Sequence, residues 1–242
     1  MKKITICACS SRTIINKEKA ARIAALAQKA GMEVELVSDL CELCESKAEK
    51  VHEIAQTTIV ACHERAVRSL MAFCDEDMSS SSSQEKCLNL RSEEASKVLE
   101  SLGLEDADIS DEELVPWLKQ LEAMPKKMGE DAWYPTLDKD LCAECGKCFE
   151  FCPFGVYEMI EDRVRVVHPT HCKNNCPACA RTCPASAIIF PKYDRSPING
   201  GEEKQENAIK LDTTFDLKQS AELYGQTLRD RLAARRTSIL KK

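Results

Sequence analysis

Cys142-Ala-Glu-Cys145-Gly-Lys-Cys148-Phe-Glu-Phe-Cys152-Pro153 and, further on, Cys172-Lys-Asn-Asn-Cys176-Pro-Ala-Cys179-Ala-Arg-Thr-Cys183-Pro184 are two copies of one pattern. Each copy has three closely spaced cysteines, then a fourth that stands directly before proline. Three thiolates this close in sequence wrap a tight loop around one face of a small cubane, and the loop's backbone N–H groups can turn toward sulfur. The spacing is the ligand pattern of two 4Fe–4S clusters. Each proline fixes φ and stops the chain from continuing as helix past the fourth cysteine. Zinc would be held by paired Cys-x2-Cys knuckles, which triads followed by Cys-Pro are not.

Each copy runs into an apolar, β-prone segment, 154–160 in the first and 185–190 in the second, and 163–167 reads as a further short strand turned by Glu161-Asp162. This stretch, 134–192, resembles a two-cluster bacterial ferredoxin. The resemblance implies that the fourth cysteine of each copy ligates the other cluster. One cluster then takes Cys142, Cys145, Cys148 and Cys183, and the second takes Cys172, Cys176, Cys179 and Cys152. The second copy departs from the family by having three residues between Cys172 and Cys176. Cys-x3-Cys-x2-Cys is also the motif of radical S-adenosylmethionine enzymes, but Cys152 can supply a fourth thiolate and too little chain follows Cys183 for most of a barrel. The longer loop is expected to give the second cluster a different potential. His171 could replace Cys172 as a ligand; a surface histidine beside a cluster loop is the plainer reading.

The 242 residues carry 15 cysteines and a net charge of −6, with 43% hydrophobic but only 5% aromatic residues. The negative balance argues against a general nucleic-acid binder. An odd cysteine count at cluster spacing argues against a disulfide framework. The basic start Met1-Lys2-Lys3 is followed by Ser10, Ser11 and Arg12, which does not read as a signal peptide. No run approaches the ~20 apolar residues of a membrane helix. The expected setting is a reducing cytoplasm, and oxygen-sensitive clusters point to an anaerobe.

The fold class expected is α/β: an N-terminal parallel-sheet, Rossmann-like domain, a small α+β ferredoxin domain and a C-terminal helix. Four segments are expected: a 1–105 α/β domain with a cysteine-rich sheet edge, a 106–132 helical connector, a 133–193 two-cluster domain, and a 194–242 irregular stretch ending in an amphipathic helix. The front domain alternates strands at 4–7, 33–37, 57–61 and 86–90 with helices, the first capped by Asn16 and stopped by Gly31. Such alternation gives a parallel sheet covered on both faces. Cys7 and Cys9 end the first strand, Cys41 and Cys44 follow the second, and Cys62 ends the third, all at the carboxyl edge where open α/β sheets bind ligands. No glycine-rich turn for a dinucleotide stands after the first strand, and no flavin fingerprint is present.

These residues also resemble the N-terminal domain of the flavin-containing iron–sulfur subunit of heterodisulfide reductase. The likeness rests on Cys7-Ala8-Cys9, Cys41 and Val60-Ala61-Cys62-His63-Glu64-Arg65, and covers 4–74. Ser10 stands where that family has glycine, and the flavin-binding part is absent. The resemblance implies a third 4Fe–4S cluster, with Cys7, Cys9, Cys41 and Cys62 as first choice and Cys44 in reserve. Zinc, a Cys41/Cys44 redox dithiol and buried small hydrophobes are the alternatives. Cys74 and Cys87 fall outside both constellations and read as structural.

The acidic run 93–113 reads as a solvated face, with a docking surface as the alternative. Trp133 and Tyr134 are expected to pack on the first cluster loop. Leu217, Ala221, Tyr224, Leu228 and Leu232 make an amphipathic tail helix, packed on its own protein or offered to a partner. The whole reads as an electron carrier or redox-complex subunit. It would relay single electrons through two, and with the front site three, 4Fe–4S clusters to redox partner proteins. The rivals are an oxidoreductase acting on a thiol or disulfide, and an iron–sulfur sensor whose exposed front cluster is lost in air.

Overall fold

The computed structural model describes residues 2–74 and 87–202. The tail helix and the serine run at 79–83 lie outside the described residues. Met1–Glu202 forms one compact unit.

Four parallel strands make the main sheet: β1 (Lys3–Cys7), β2 (Glu33–Val37), β3 (Thr58–Ala61) and β4 (Cys87–Asn89), in the order β2-β1-β3-β4. The order reverses beside β1, so its carboxyl end faces a topological switch point. On β1 the alternate residues Ile4 and Ile6 and the intervening Thr5 are all fully buried, as a central strand covered on both faces requires. Thr5 avoids an orphan hydroxyl because Thr57 Oγ1 bonds to it at 2.8 Å.

Helix α1 (Lys17–Lys29) starts where Asn16 Oδ1 accepts from Lys19 N at 3.1 Å. Its inner face is mostly alanine, which lets α5 (Ala95–Leu102) and α6 (Asp111–Ala123) pack against it. Most of the acidic run is exposed, as a solvated face, and part of it ties the helices together. Asp106 pairs with Arg22, Glu113 pairs with Lys29, and Glu113 also closes a capping box with Ser110. Past β2 the chain makes two short helices, α2 (Leu40–Glu45) and α3 (Lys50–Ile54), where sequence periodicity suggests one. Helix α2 packs on α4 (Glu64–Cys74). With right-handed crossovers, these helices cover the face opposite α1.

The following region has two small antiparallel sheets. Strand β5 (Thr136–Leu137) pairs with β8 (Ile188–Ile189), and β6 (Tyr157–Ile160) pairs with β7 (Arg163–Val166). Between them lie α7 (Lys147–Phe151) and α8 (Ala178–Thr182). The β6–β7 turn is Glu161-Asp162, with φ of 50° and 58°. Two successive left-handed residues are the signature of the tight hairpin that normally uses Asn-Gly. Replacing Glu161→Asn together with Asp162→Gly is therefore expected to stabilise the fold by about 1 kcal/mol. A thermal midpoint that does not rise would refute this.

Candidate metal centres

The two cysteine loops repeat each other in backbone as well as sequence. Cys152 and Cys183 each cap the preceding short helix in an extended conformation, at φ/ψ of −80°/111° and −75°/114°. A following proline disfavours the helical region, so Pro153 and Pro184 are the local cause of both exits. Three residues beyond each fourth cysteine the chain is left-handed, at Gly155 (φ 67°) and Ser186 (φ 50°). The residue just before the second cysteine of each triad is also left-handed, Glu144 (φ 50°) in one loop and Asn175 (φ 63°) in the other. The extra residue of the second loop therefore falls between Cys172 and Asn175.

Each fourth cysteine lies within electrostatic reach of the other loop's thiols. Burial first, then the charges of Glu144, Cys183 and Cys145, push the Cys142 thiol up. Burial, then the charges of Cys179, Cys176 and Cys152, push the Cys172 thiol up to about 12. Cys183 thus lies among the first-loop thiols and Cys152 among the second. Tyr157 Oη donates to Cys179 Sγ at 3.1 Å, and Ala187 N donates to Cys183 Sγ at 3.4 Å. Val156, Val164, Ile188 and Phe190 pack around Cys148 and Cys179. Eight thiols on two like loops, with donors on sulfur and an apolar surround, fit 4Fe–4S chemistry, which when bound supplies one-electron transfer. The protein's part is to hold the thiolates, tune them by hydrogen bonds and limit water. His171 stacks on His168, ring centroids 4.7 Å apart.

At the sheet edge Cys7, Cys9, Cys41 and Cys62 come together, each between 2% and 4% exposed. Leu40 N donates to Cys7 Sγ at 3.3 Å, and Cys9 donates its thiol proton to Cys7. Cys9 sits in the left-handed region at φ 46°, which turns its side chain back beside Cys7. The charges of Cys62 and Cys41 reach Cys9, and those of Cys62 and Cys7 reach Cys41. Burial is the main force pushing the Cys62 thiol up to about 12, against the pull of Arg91. Cys44, fully buried, is also reached by the charges of Cys41 and Cys7, but the largest push on its thiol comes from Cys74. Among the described residues no three His, Cys, Asp or Glu side chains close on a single ion position. That holds for the ferredoxin-like loops as well; a cubane spreads its four ligands wider than one zinc does.

Residues 134–184 match the family model of the 4Fe-4S dicluster domain. An uncharacterized ferredoxin of Methanocaldococcus jannaschii is 44% identical over 71 residues, covering 29% of this chain and 48% of its own length. A second uncharacterized ferredoxin of that organism is 40% identical over 55 residues, 22% of this chain and 87% of its own. The chain belongs to the ferredoxin family. Pyruvate synthase subunit PorD of Methanothermobacter marburgensis is 41% identical over 54 residues, 22% of this chain and 60% of that protein. The chain spans about half the length of the first of these relatives. Its ferredoxin-type segment carries 4Fe–4S chemistry, and among the described residues no helix is long and apolar enough to cross a membrane.

The ferredoxin segment roofs the front cysteines. Arg12, three residues past Cys9, gives Asp131 two hydrogen bonds, from Nε at 2.7 Å and Nη2 at 3.0 Å. The same guanidinium donates to Asn175 Oδ1 at 2.6 Å and Asn174 Oδ1 at 2.8 Å, and lies 4.4 Å from the Trp133 ring centre. Lys192, its side chain 2% exposed, stands 2.7 Å from Asp39 Oδ2 and 3.0 Å from Asp131 Oδ2, in ion pairs whose angles are not those of hydrogen bonds. Asp39 meanwhile caps α2 through Cys41 N and takes the Ser11 hydroxyl at 2.5 Å. Arg91 reaches the carbonyls of Pro191 and Tyr193 at 2.8 and 2.6 Å.

Several expectations are corrected by this arrangement. Tyr134 does not pack on the first cluster loop. Its ring meets Phe73 at 5.2 Å and its hydroxyl donates to Cys41 O at 2.8 Å. Trp133 stacks on Phe190 at 5.3 Å and donates to Cys176 O of the second loop at 3.4 Å. The described residues after Phe190 form no helix or strand, yet part of this run is buried as a cover: Lys192 and Asn199 are 5% and 3% exposed. A front site exposed to air is not what the fold holds, because the four thiols are buried. Arg12, Asp131 and Lys192 escaped sequence reading because single charged residues in loops carry no periodic signal. The one available hint was the Asn174-Asn175 insertion.

Proposed function

We propose that the chain relays single electrons through three 4Fe–4S clusters. The first is held by Cys142, Cys145, Cys148 and Cys183, the second by Cys172, Cys176, Cys179 and Cys152, and the third by Cys7, Cys9, Cys41 and Cys62. The observation that carries the third is the burial of four thiols from three strand ends in one place, at the switch point of a parallel sheet that lacks a phosphate-binding turn. The likeness of 4–74 to the N-terminal domain of heterodisulfide reductase's flavin-containing polypeptide supports the same assignment. The clamp of Arg12 on Asn174 and Asn175 supports an electron path between the front site and the second loop.

On this reading 1–105 is the input module, 106–132 its helical brace and 133–193 the output module. Electrons leave at the first loop, where Cys145 is exposed among Leu141, Phe149 and Phe151, all more than 40% exposed. The recipient is a redox partner protein, and the likeness to a pyruvate synthase component supports a place within a larger redox assembly. Flavin and nucleotide play no part in it.

The test is iron and acid-labile sulfide per chain in protein purified without oxygen, with electron paramagnetic resonance after reduction. About twelve irons are expected, falling to about eight in the Cys9→Ala, Cys62→Ala double variant. About eight in both proteins would reduce the reading to a two-cluster ferredoxin with a metal-free front module.

A further inference from the structure

Trp133 and Tyr134 are adjacent in the chain, 5% and 3% exposed, and tied to two different cysteine sites. The Tyr134 hydroxyl donates to the carbonyl of Cys41, at the front site, at 2.8 Å. The Trp133 indole N–H donates to the carbonyl of Cys176, in the second ferredoxin loop, at 3.4 Å. Each polar tip thus ends on the backbone of a proposed cluster ligand, and a single peptide unit joins the two aromatic residues. Both rings are fixed. Phe190 stacks on the indole at 5.3 Å between centroids, the Arg12 guanidinium lies 4.4 Å from the indole centre, and Phe73 meets the Tyr134 ring at 5.2 Å. Cys41, Trp133, Tyr134 and Lys192 also share one small cavity of about 10 Å³. That is room for about one water, so little empty space parts Cys41 from the indole.

We propose that the Trp133-Tyr134 pair is the conduit for single-electron exchange between the front site and the second ferredoxin loop. The proposal rests on the three-cluster reading. One electron leaves one site and arrives at the other. No bond forms or breaks, and both side chains end unchanged with their protons in place.

Three features suit the pair to this step. Electronic coupling falls steeply across empty space and less steeply along bonds, hydrogen bonds and packed rings, which here run from Cys41 to Cys176 without leaving the protein. The two donors take carbonyl oxygens, so neither competes with iron for a sulfur. Cluster potentials respond to hydrogen bonds on the sulfurs and to charge, and these two neutral side chains supply neither. Their removal should therefore alter the rate of exchange and leave the potentials in place. Lys192 and Arg12, as buried cations, would be expected to move the potentials.

The experiment uses the full iron-loaded chain without oxygen. A flash-activated external reductant delivers one electron, and freeze-quench electron paramagnetic resonance follows its redistribution among the sites. The front-site signal is the one missing from the Cys9→Ala, Cys62→Ala double variant. Trp133→Phe and Tyr134→Phe keep a ring but lose one donor each, and Trp133→Leu loses the ring. All three should keep about twelve irons and the parent's potentials. Exchange between the front site and the second loop should slow in both phenylalanine variants, and its fast phase should be lost in Trp133→Leu. The phenylalanine variants decide the matter if the leucine chain does not fold. Variants that keep their iron and exchange electrons at the parent's rate overturn the conduit. So does slower exchange accompanied by changed potentials or a changed spin–spin coupling between reduced sites, which would make the pair a spacer. Loss of iron in the phenylalanine variants also overturns it, by assigning the pair to site assembly. A parent chain with about eight irons fails the three-cluster reading itself, whereas about twelve irons with unaffected variants fails the conduit alone.

Discussion

Replacing Asp131 by alanine is expected to cost the folded protein about 4 kcal/mol, because removing one member of a buried ion pair leaves its partner uncompensated. The Asp131 carboxylate is wholly covered, and it faces both Arg12 and Lys192. Lys192 would keep Asp39, and Arg12 would keep the two asparagine amides and the Trp133 ring but no carboxylate. For a domain of this size the loss corresponds to a fall of about 10 °C in thermal midpoint. Asp106→Ala, which breaks a pair with Arg22 in which both side chains are about one-third exposed, should cost less than about 1 kcal/mol. Equal effects would show that the Asp131 network contributes no more than a surface pair.

The same carboxylate has a pH signature. Burial opposes its charge, but the hydrogen bond from Arg12 and the nearby Lys192 outweigh burial and hold the group well below the usual carboxylate range. A depressed folded pKa gives stability that is complete above the unfolded value, about pH 4, and lost as the pH falls below it. The Asp131→Ala protein should therefore lose less stability than the parent on acidification below about pH 4.

The second large effect is expected at Gly200. Its φ is +87°, and a Cβ placed there would lie 2.8 Å from both the Cβ and the backbone nitrogen of Ala66. Ala66 is a buried residue of α4, so it has little room to yield. Gly200→Ala combines a left-handed penalty of about 1 kcal/mol with an overpacking cost of about 1–3 kcal/mol. Gly103 provides the comparison: its φ is +78°, but nothing lies within 4 Å of the added carbon. Gly103→Ala should therefore show the conformational penalty alone, about 1 kcal/mol. Denaturant midpoints of the two variants separate conformation from contact, and indistinguishable values would remove the close approach as a cause.

What the sequence made legible followed local chemistry. The two cysteine loops, the Glu161-Asp162 hairpin and the Asn16 cap each depend on residues close together in the chain. So does the placing of Cys7, Cys9, Cys41 and Cys62 at one sheet edge, which needs only strand-helix alternation. The partners of Cys44 and Arg12 were not legible. Cys74 meets Cys44 through the packing of α2 on α4, and Arg12 meets Asn174 and Asn175 across 162 and 163 residues of chain. Tyr134 was misplaced for the same reason. As an aromatic near a cysteine loop it suits that loop equally well, and only the fold shows that Phe73 and Cys41 take it.

The cover formed by residues 131–134 and 190–201 sets an order of events in the life of the protein. Thiols only 2–4% exposed offer no approach to an iron–sulfur donor once Lys192 has seated between Asp39 and Asp131. Any inorganic group held by Cys7, Cys9, Cys41 and Cys62 must therefore be installed while the downstream segment is still open. Cys142, Cys145 and Cys176, which lie nearer the surface, remain open to later loading and repair. Maturation would run from the inside outward, with the front site filled first and replaced only by reopening the chain.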